Sequence, residues 1–259
     1  MTYSNIEITS EKNTAFLRLN RPEVGNAINR DMAAEIIDAL ETLDKHASVR
    51  FIVIEGNGKN FCTGADLIWM KNAAEAPYDK NLEDSLLLAK CFHKLYSTEK
   101  ISIAKVIGNV YGGGVGLIAA CDFAYAETNS IFSFSEVKLG LVPSLIMPYV
   151  LQKTGIPVLR ELMLTGRLIS GVEALKIGLV NNCFDKKDQL SAEIANLISS
   201  LAEAAPLAQV EIKKLLNRYS IINTNSMLMH YTAELLAKTR AGAEAKEGIR
   251  AFLQRKSPG

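Results

Sequence analysis

Between residues 103 and 122 a β-branched, apolar run (103–110) breaks into Gly112-Gly113-Gly114, and a small-residue segment (115–121) opens directly behind it. Glycine lacks a Cβ, so the chain can turn sharply here and bring bare N–H groups against a ligand. A helix starting at the same point adds unpaired N–H donors and the positive end of its dipole. Strand, glycine turn and helix together make a site for an anion or for a developing negative charge. Three uses stay open: a dinucleotide phosphate, an oxyanion, or a structural turn that packs a helix close to a sheet.

The dinucleotide use has a pattern behind it, since Gly114, Gly116 and Ala119 satisfy G-x-G-x-x-A. That fingerprint also requires an acidic residue at the end of the next strand, about 20 residues on. Glu136 has roughly this separation, but the next strand reads as 123–127, and Glu136 lies beyond a further segment at 130–135. The register is poor. The oxyanion use gains support upstream, where Asn60-Phe61-Cys62-Thr63-Gly64-Ala65-Asp66 follows the apolar strand 51–56 and a Gly/Asn/Lys turn. Ala65 follows a glycine in that turn, and Gly113 opens a helix, so two N–H groups become candidates for one oxygen.

A chain of 259 residues, 48% hydrophobic, can bury a large core, as one domain or as one with an appendage. Its 29 basic and 28 acidic residues leave a formal charge of +1, with no basic stripe, so neither nucleic acid nor an anionic membrane is expected as a partner. The N-terminal residues lack the charged and apolar regions of a signal peptide, and no apolar run approaches the roughly 18 residues of a membrane span. A soluble, cytoplasmic protein is expected. Cys62, Cys91, Cys121 and Cys183 form no C-x-x-C pair and read as reduced, mostly buried small hydrophobes. His46, His93 and His230 share no ligand spacing, so no metal is expected.

Along the chain, residues 6–10 and 14–20 read as a strand pair. Residues 30–45 carry a helical stripe (Met32, Ile36, Ile37, Leu40, Leu43), and 51–55 read as a buried strand. Residues 72–84 are polar and interrupted by Pro77, which predicts a loop or mobile segment. Residues 86–96 return to helical spacing. From about 195 the sequence becomes helix-rich, with Pro206 starting one helix (207–218) and another running over 226–240. This is an α/β chain, with a boundary placed between 1–195 and 196–259.

Four motifs in order and spacing carry a family resemblance. Leu19-Asn20-Arg21-Pro22 with Asn26-Ala27-Ile28 comes first, then Phe61-x-x-Gly64-Ala65-Asp66-Leu67-x-x-Met70. Gly112-Gly113-Gly114-x-x-Leu117-x-x-x-Cys121-Asp122 follows, then Phe132-x-x-x-Glu136-x-x-x-Gly140-Leu141-x-Pro143. The pattern resembles the crotonase (enoyl-CoA hydratase/isomerase) superfamily over essentially the whole chain, including the closing Glu247–Leu253 segment.

The resemblance implies a crotonase (ClpP-like) β-β-α spiral core with a C-terminal helical region, assembled as homotrimers or hexamers. It implies an acyl-CoA substrate, with coenzyme A present as part of the thioester and no permanently bound cofactor. The enolate oxygen would be held by the backbone N–H groups of Ala65 and Gly113. Backbone at Ala65, Asp66, Leu67 and Ile68 would cradle the cofactor, with Val24 a further contact. For Asp66 a second role competes, that of a helix N-terminal residue.

Many hydratases of the superfamily use two glutamates. The second matches Glu136, whereas the position of the first is Gly116. Trp69 and Met70 read as cover for the site or as ordinary core. Residues 142–148 depart from the glycine-rich version of the family and are expected to shape the acyl pocket. Within the family the chain resembles hydratases of 3-methylglutaconyl-CoA and related carboxylated enoyl-CoAs. The expected activity is enoyl-CoA hydration, with isomerisation, hydroxyacyl-thioester dehydration and non-catalytic acyl-CoA binding as alternatives.

Overall fold

The computed structural model describes residues 3–219 and 225–254. Its first elements are β1 (Ile6–Glu11), β2 (Thr14–Leu19), α1 (Arg30–Lys45) and β3 (Phe51–Gly56). Next come α2 (Leu67–Glu75), α3 (Tyr78–Ser97), β4 (Ile101–Val106), β5 (Asn109–Tyr111) and α4 (Gly113–Ala120). β6 (Phe123–Glu127), β7 (Ile131–Ser133), α5 (Met147–Thr154), α6 (Ile156–Thr165) and β8 (Leu168–Ser170) follow. The chain continues through α7 (Gly171–Lys176), β9 (Asn182–Phe184) and α8 (Lys187–Ala202). α9 (Pro206–Arg218), α10 (Ser226–Ala241) and α11 (Ala243–Leu253) close it.

The larger sheet has the order β1-β2-β3-β4-β6-β9 and is parallel except for the β1–β2 pair. Phe51, Ile52, Val53 and Ile54 of β3 are all buried, as expected of a parallel strand covered on both faces. α1 covers one face through Met32, Ile36, Ile37, Leu40 and Leu43, the stripe seen in the sequence. α8 covers Val53 and Ile103 on the other through Leu190 and Ile194. The apolar run 103–110 is two strands rather than one. The chain bends at Gly108, so that β4 stays in the large sheet and β5 joins a small one of order β5-β7-β8. Strand, strand and helix thus repeat as β4-β5-α4 and then β6-β7-α5.

One expectation is corrected. Residues 72–84 are helical on both sides of Pro77 rather than a loop. Pro77 is the N-cap of α3, where a missing N–H costs nothing, and Asn81, Asp84 and Ser85 behind it are buried. Asn81 donates to the Ala76 carbonyl, and Asp84 accepts from Trp69 Nε1 at 2.9 Å and pairs with Arg30. Residue 195 lies within α8, on the face of the large sheet. Beyond it, α9 is fastened by Lys213, whose buried ammonium donates to Asp122 Oδ2 at 2.7 Å and to the Lys100 carbonyl at 2.9 Å.

α4 lies almost against residues 60–66. A Cβ on Gly114 would stand 2.4 Å from the Cys62 carbonyl oxygen, so only glycine permits this approach. Gly114→Ala should therefore destabilise the protein by about 2–4 kcal/mol through backbone displacement. Urea unfolding of the variant checks this; an unchanged midpoint would contradict the packing described.

Candidate active site

The two glycine turns meet because β5 pairs with the upstream segment. Cys62 N–H donates to the Asn109 carbonyl and Tyr111 N–H to the Cys62 carbonyl, a short parallel bridge centred on Cys62 and Val110. Ala65 forms a second bridge with Ile28, in which Ile28 N–H bonds to Gly64 O at 2.7 Å and Asp66 N–H to Ile28 O at 2.9 Å. That pairing occupies the N–H groups on either side but leaves the N–H of Ala65 without a partner among the described residues. At the end of β5, Gly112 adopts φ +47°, its N–H bonded to Ser133 O, and α4 begins at Gly113. The Gly113 N–H is an orphan of the first helical turn. Ala65 and Gly113 line one cavity of about 370 Å³.

Glu136 enters the same cavity from the 3₁₀ turn Ser135–Leu139. A Cβ on Gly112 would be 3.0 Å from Glu136 Oε1, so the glycine lets the carboxyl rest against the start of α4. Oε2 is buried and has no hydrogen-bond partner among the described residues. Burial pushes this carboxyl from 4.5 up to about 7, partly offset by a hydrogen bond from its own backbone. A phosphate seated on this helix terminus would meet that carboxyl, which removes the dinucleotide reading.

Gly116 does more than lack an acid. A Cβ there would lie 2.4 Å from Ile146 Cγ2 and 3.0 Å from the Phe92 ring, so this place is already filled. Residues 142–148 supply Ile146 along with Val142, Pro143 and Leu145 of the cavity wall. Met70 is buried and lines the cavity, whereas Trp69 is anchored to Asp84.

The Asp66 carboxylate is committed to structure. It caps α2 by accepting from the Ile68 and Trp69 N–H groups and pairs with Arg21 at 2.8 Å. Arg21 also donates to Ala27 O, and buried Asn26 donates to Asn57 O and Asn60 O. The loop carrying Val24 is thereby stitched to the turn carrying Ala65. Val24, Leu67 and Ile68 are exposed at the mouth of this region, Ile68 to 71%. Cys62 is wholly buried, and burial raises its thiol to about 12, so it is no nucleophile.

Sequence reasoning missed Phe92 and Arg240. Arg240 is buried at the cavity wall, yet it stands in the apolar stripe of α10 with Ala233, Leu236 and Ala237. An arginine at position i+7 of an otherwise buried stripe was the signal available. Cys91 and Cys121 are also buried thiols raised to about 12, and Cys183 is half-buried.

The family model described as enoyl-CoA hydratase/isomerase matches residues 9–259. The chain belongs to that family. It is 32% identical over 260 residues to a crotonyl-CoA hydratase of Syntrophomonas wolfei, covering 99% of this chain and 97% of that one. It is 30% identical over 268 residues to the mitochondrial Δ(3,5)-Δ(2,4)-dienoyl-CoA isomerase of rat, covering 95% and 81%. The crystal structure of an enoyl-CoA hydratase from Shewanella pealeana superposes with a TM-score of 0.81 at 32% identity, covering 98% of this chain and 95% of that one. The fold is therefore the crotonase fold, mixed α/β with a C-terminal helical region, and the protein is an enzyme of the enoyl-CoA hydratase/isomerase family.

The raised Glu136 carboxyl has a stability consequence. An acid whose folded value lies above its unfolded one binds more protons when folded, so folding is weakened as pH rises from about 4.5 through 7. Carrying the carboxyl from 4.5 to about 7 corresponds to roughly 3 kcal/mol of destabilisation at alkaline pH. Glu136→Gln should raise the thermal midpoint at pH 8 and change it little at pH 4. An equal effect at both would show that the carboxyl is not held in a dry site.

Proposed function

We propose that this family member adds water across the 2,3-double bond of an enoyl-CoA thioester, using Glu136 as its one acid–base group. The observation that carries the reading is the placement of a buried, unpartnered carboxyl oxygen beside two N–H groups that also lack partners. The thioester oxygen receives the Ala65 and Gly113 N–H groups. The Glu136 carboxylate takes a proton from water as its oxygen bonds to C3, and the electron pair of the double bond moves into the enolate. The two N–H groups hold that charge, an interaction worth about 2.7–4 kcal/mol per donor in comparable sites. The protonated Glu136 then returns the proton to C2, and the carboxylate is regenerated. A carboxyl poised near neutral pH suits both steps.

Coenzyme A enters as part of the substrate, its pantetheine and adenine against the backbone of Ala65, Asp66, Leu67 and Ile68 and the Val24 loop. The substrate to try first is 3-methylglutaconyl-CoA, on the strength of the segment Phe132–Val137. A second reading is favoured by the filled site at Gly116. One carboxylate also suffices to carry a proton between C2 and C4, the work of an enoyl-CoA isomerase. We place the protein in the cytoplasm as a homotrimer or hexamer, with the helices after α8 as the oligomerisation region. Leu215, Leu216 and Met227 stay 56–78% exposed in the single chain, which supports this. Leu236 of α10 is buried within its own chain, and Leu228 and Leu235 are half-buried. The tail around Phe252, Arg255 and Lys256 closes over the cofactor of a neighbouring subunit in this reading, its cations near the phosphates. Phe252 lines the cavity, and the two cations lie outside the described residues.

Purified protein should remove the enoyl absorbance of crotonyl-CoA or 3-methylglutaconyl-CoA. Glu136→Gln should lower kcat about 10²- to 10⁴-fold with little change in KM. Consumption of a 3-enoyl-CoA with growth of 2-enoyl absorbance, and no hydration, would favour the isomerase. Glu136→Gln with near-normal turnover would refute the assignment.

A further inference from the structure

The Arg240 guanidinium is the second charge buried at this cavity, and nothing in the mechanism above employs it. The residue is 7% exposed and sits in the last two turns of α10, on the buried face that α10 presents to the core. Its Nε is wholly covered without a hydrogen-bond partner, and none of its nitrogens makes a hydrogen bond or ion pair among the described residues. A planar group with five donors is thus held at an apolar wall with its bonding capacity unspent.

Two carboxylates come into question as its counter-ion, and neither serves. Asp84 is the one whose charge reaches it, but its oxygens are taken by Arg30, by Trp69 Nε1 at 2.9 Å and by Lys80 at 3.6 Å. Glu136 lines the same cavity, yet its buried Oε2 and the Arg240 Nε both lack hydrogen-bond partners, and no ion pair joins the two among the described residues. The cavity that Arg240 lines also presents Leu236, Leu145, Leu88, Met70 and Phe252, none of which can accept a hydrogen bond from a cation at full strength. Burying an unpaired charge is costly, and a fork of donors with no acceptor among the described residues matches a ligand carboxylate in two-point geometry.

We propose that Arg240 receives a carboxylate at the far end of the acyl chain, so that the thioester accepted here is that of a dicarboxylic acid. This rests on the acyl-thioester reading of the cavity, and it stands on Arg240 rather than on the motif resemblance that pointed to 3-methylglutaconyl-CoA. The thioester end is held by the N–H pair near Glu136, the apolar wall covers the methylene carbons, and the guanidinium binds the distal acid. Discrimination then comes from an unpaired charge: a monocarboxylic chain of equal length leaves Arg240 buried and unsatisfied, whereas a dicarboxylic one satisfies it.

Calorimetry with saturated thioesters tests this without any turnover. Succinyl-, glutaryl- and adipyl-CoA are compared with butyryl-, valeryl- and hexanoyl-CoA on the full-length protein and on Arg240→Gln and Arg240→Lys. At least one acid thioester should bind the natural protein about 30-fold or more tightly than its monocarboxylic counterpart. That ratio should fall to near one in Arg240→Gln and recover in part in Arg240→Lys. No acid preference in the natural protein overturns the proposal, even if the variants fail to fold. So does a preference that survives Arg240→Gln, or an equal weakening of both series, which would assign the guanidinium to the coenzyme. Because saturated thioesters cannot be hydrated, a protein that shows the acid preference but leaves crotonyl-CoA and 3-methylglutaconyl-CoA unchanged refutes the hydratase reading alone. Failure to bind any of the six thioesters refutes both.

Discussion

The short parallel bridge between Cys62 and Val110 is what the rest of the site depends on. Two hydrogen bonds, from Cys62 to Asn109 and from Tyr111 to Cys62, hold the upstream turn alongside β5. β5 runs straight into the start of α4, so the same pairing sets where the Gly113 N–H lies relative to that of Ala65. The close approach of Gly114 to the Cys62 carbonyl locks α4 into this arrangement. Behind the bridge, Asn26, Arg21 and Asp66 tie the loop at 21–28 to the turn. Since these partners belong to the backbone or are buried ion pairs, the donors are preorganised before any substrate arrives. Preorganisation is what makes such donors effective when charge develops.

Much of this was legible in the chain. The glycine turn at 112–114 and the helix behind it could be read from residue type alone, because few sequences place three glycines between a β-branched run and a small-residue helix. Periodicity located α1 to the residue, and the strand pair at the N-terminus within one or two. What could not be read was long-range. Residues 72–84 look solvent-exposed because they are polar, yet Asn81 is buried against the Ala76 carbonyl, and Asp84 is buried with partners on α2 and α1 that lie far off in sequence. The bend at Gly108 was hidden inside an unbroken apolar run. Gly116 could be recognised as lacking a carboxyl, but only packing shows that Ile146 and Phe92 occupy that space. Arg240 was passed over because a basic residue near a helix C-terminus ordinarily needs no explanation.

Two charges that line one cavity with no ion pair between them among the described residues are expensive for a folded protein. A carboxylate close to Arg240 would be stabilised in its charged form and driven down as a base. Glu136 Oε2 has no partner among the described residues, and burial raises the carboxyl to about 7. The filled site at Gly116 sharpens the demand on this one group. With no second acid at that position, the proton taken from water and the proton delivered to C2 pass through the same carboxyl in sequence.

The pH dependence of kcat/KM for hydration measures that claim most directly. If Glu136 acts alone, only its ionised form starts the reaction, and no separate acid has to remain protonated. The profile of the best substrate should then rise through about pH 7 with a slope of one and stay level above it. A bell-shaped profile with a second ionisation on the alkaline side that depends on a protein acid, or a rate indifferent to pH between 5 and 9, would contradict the single-carboxyl account.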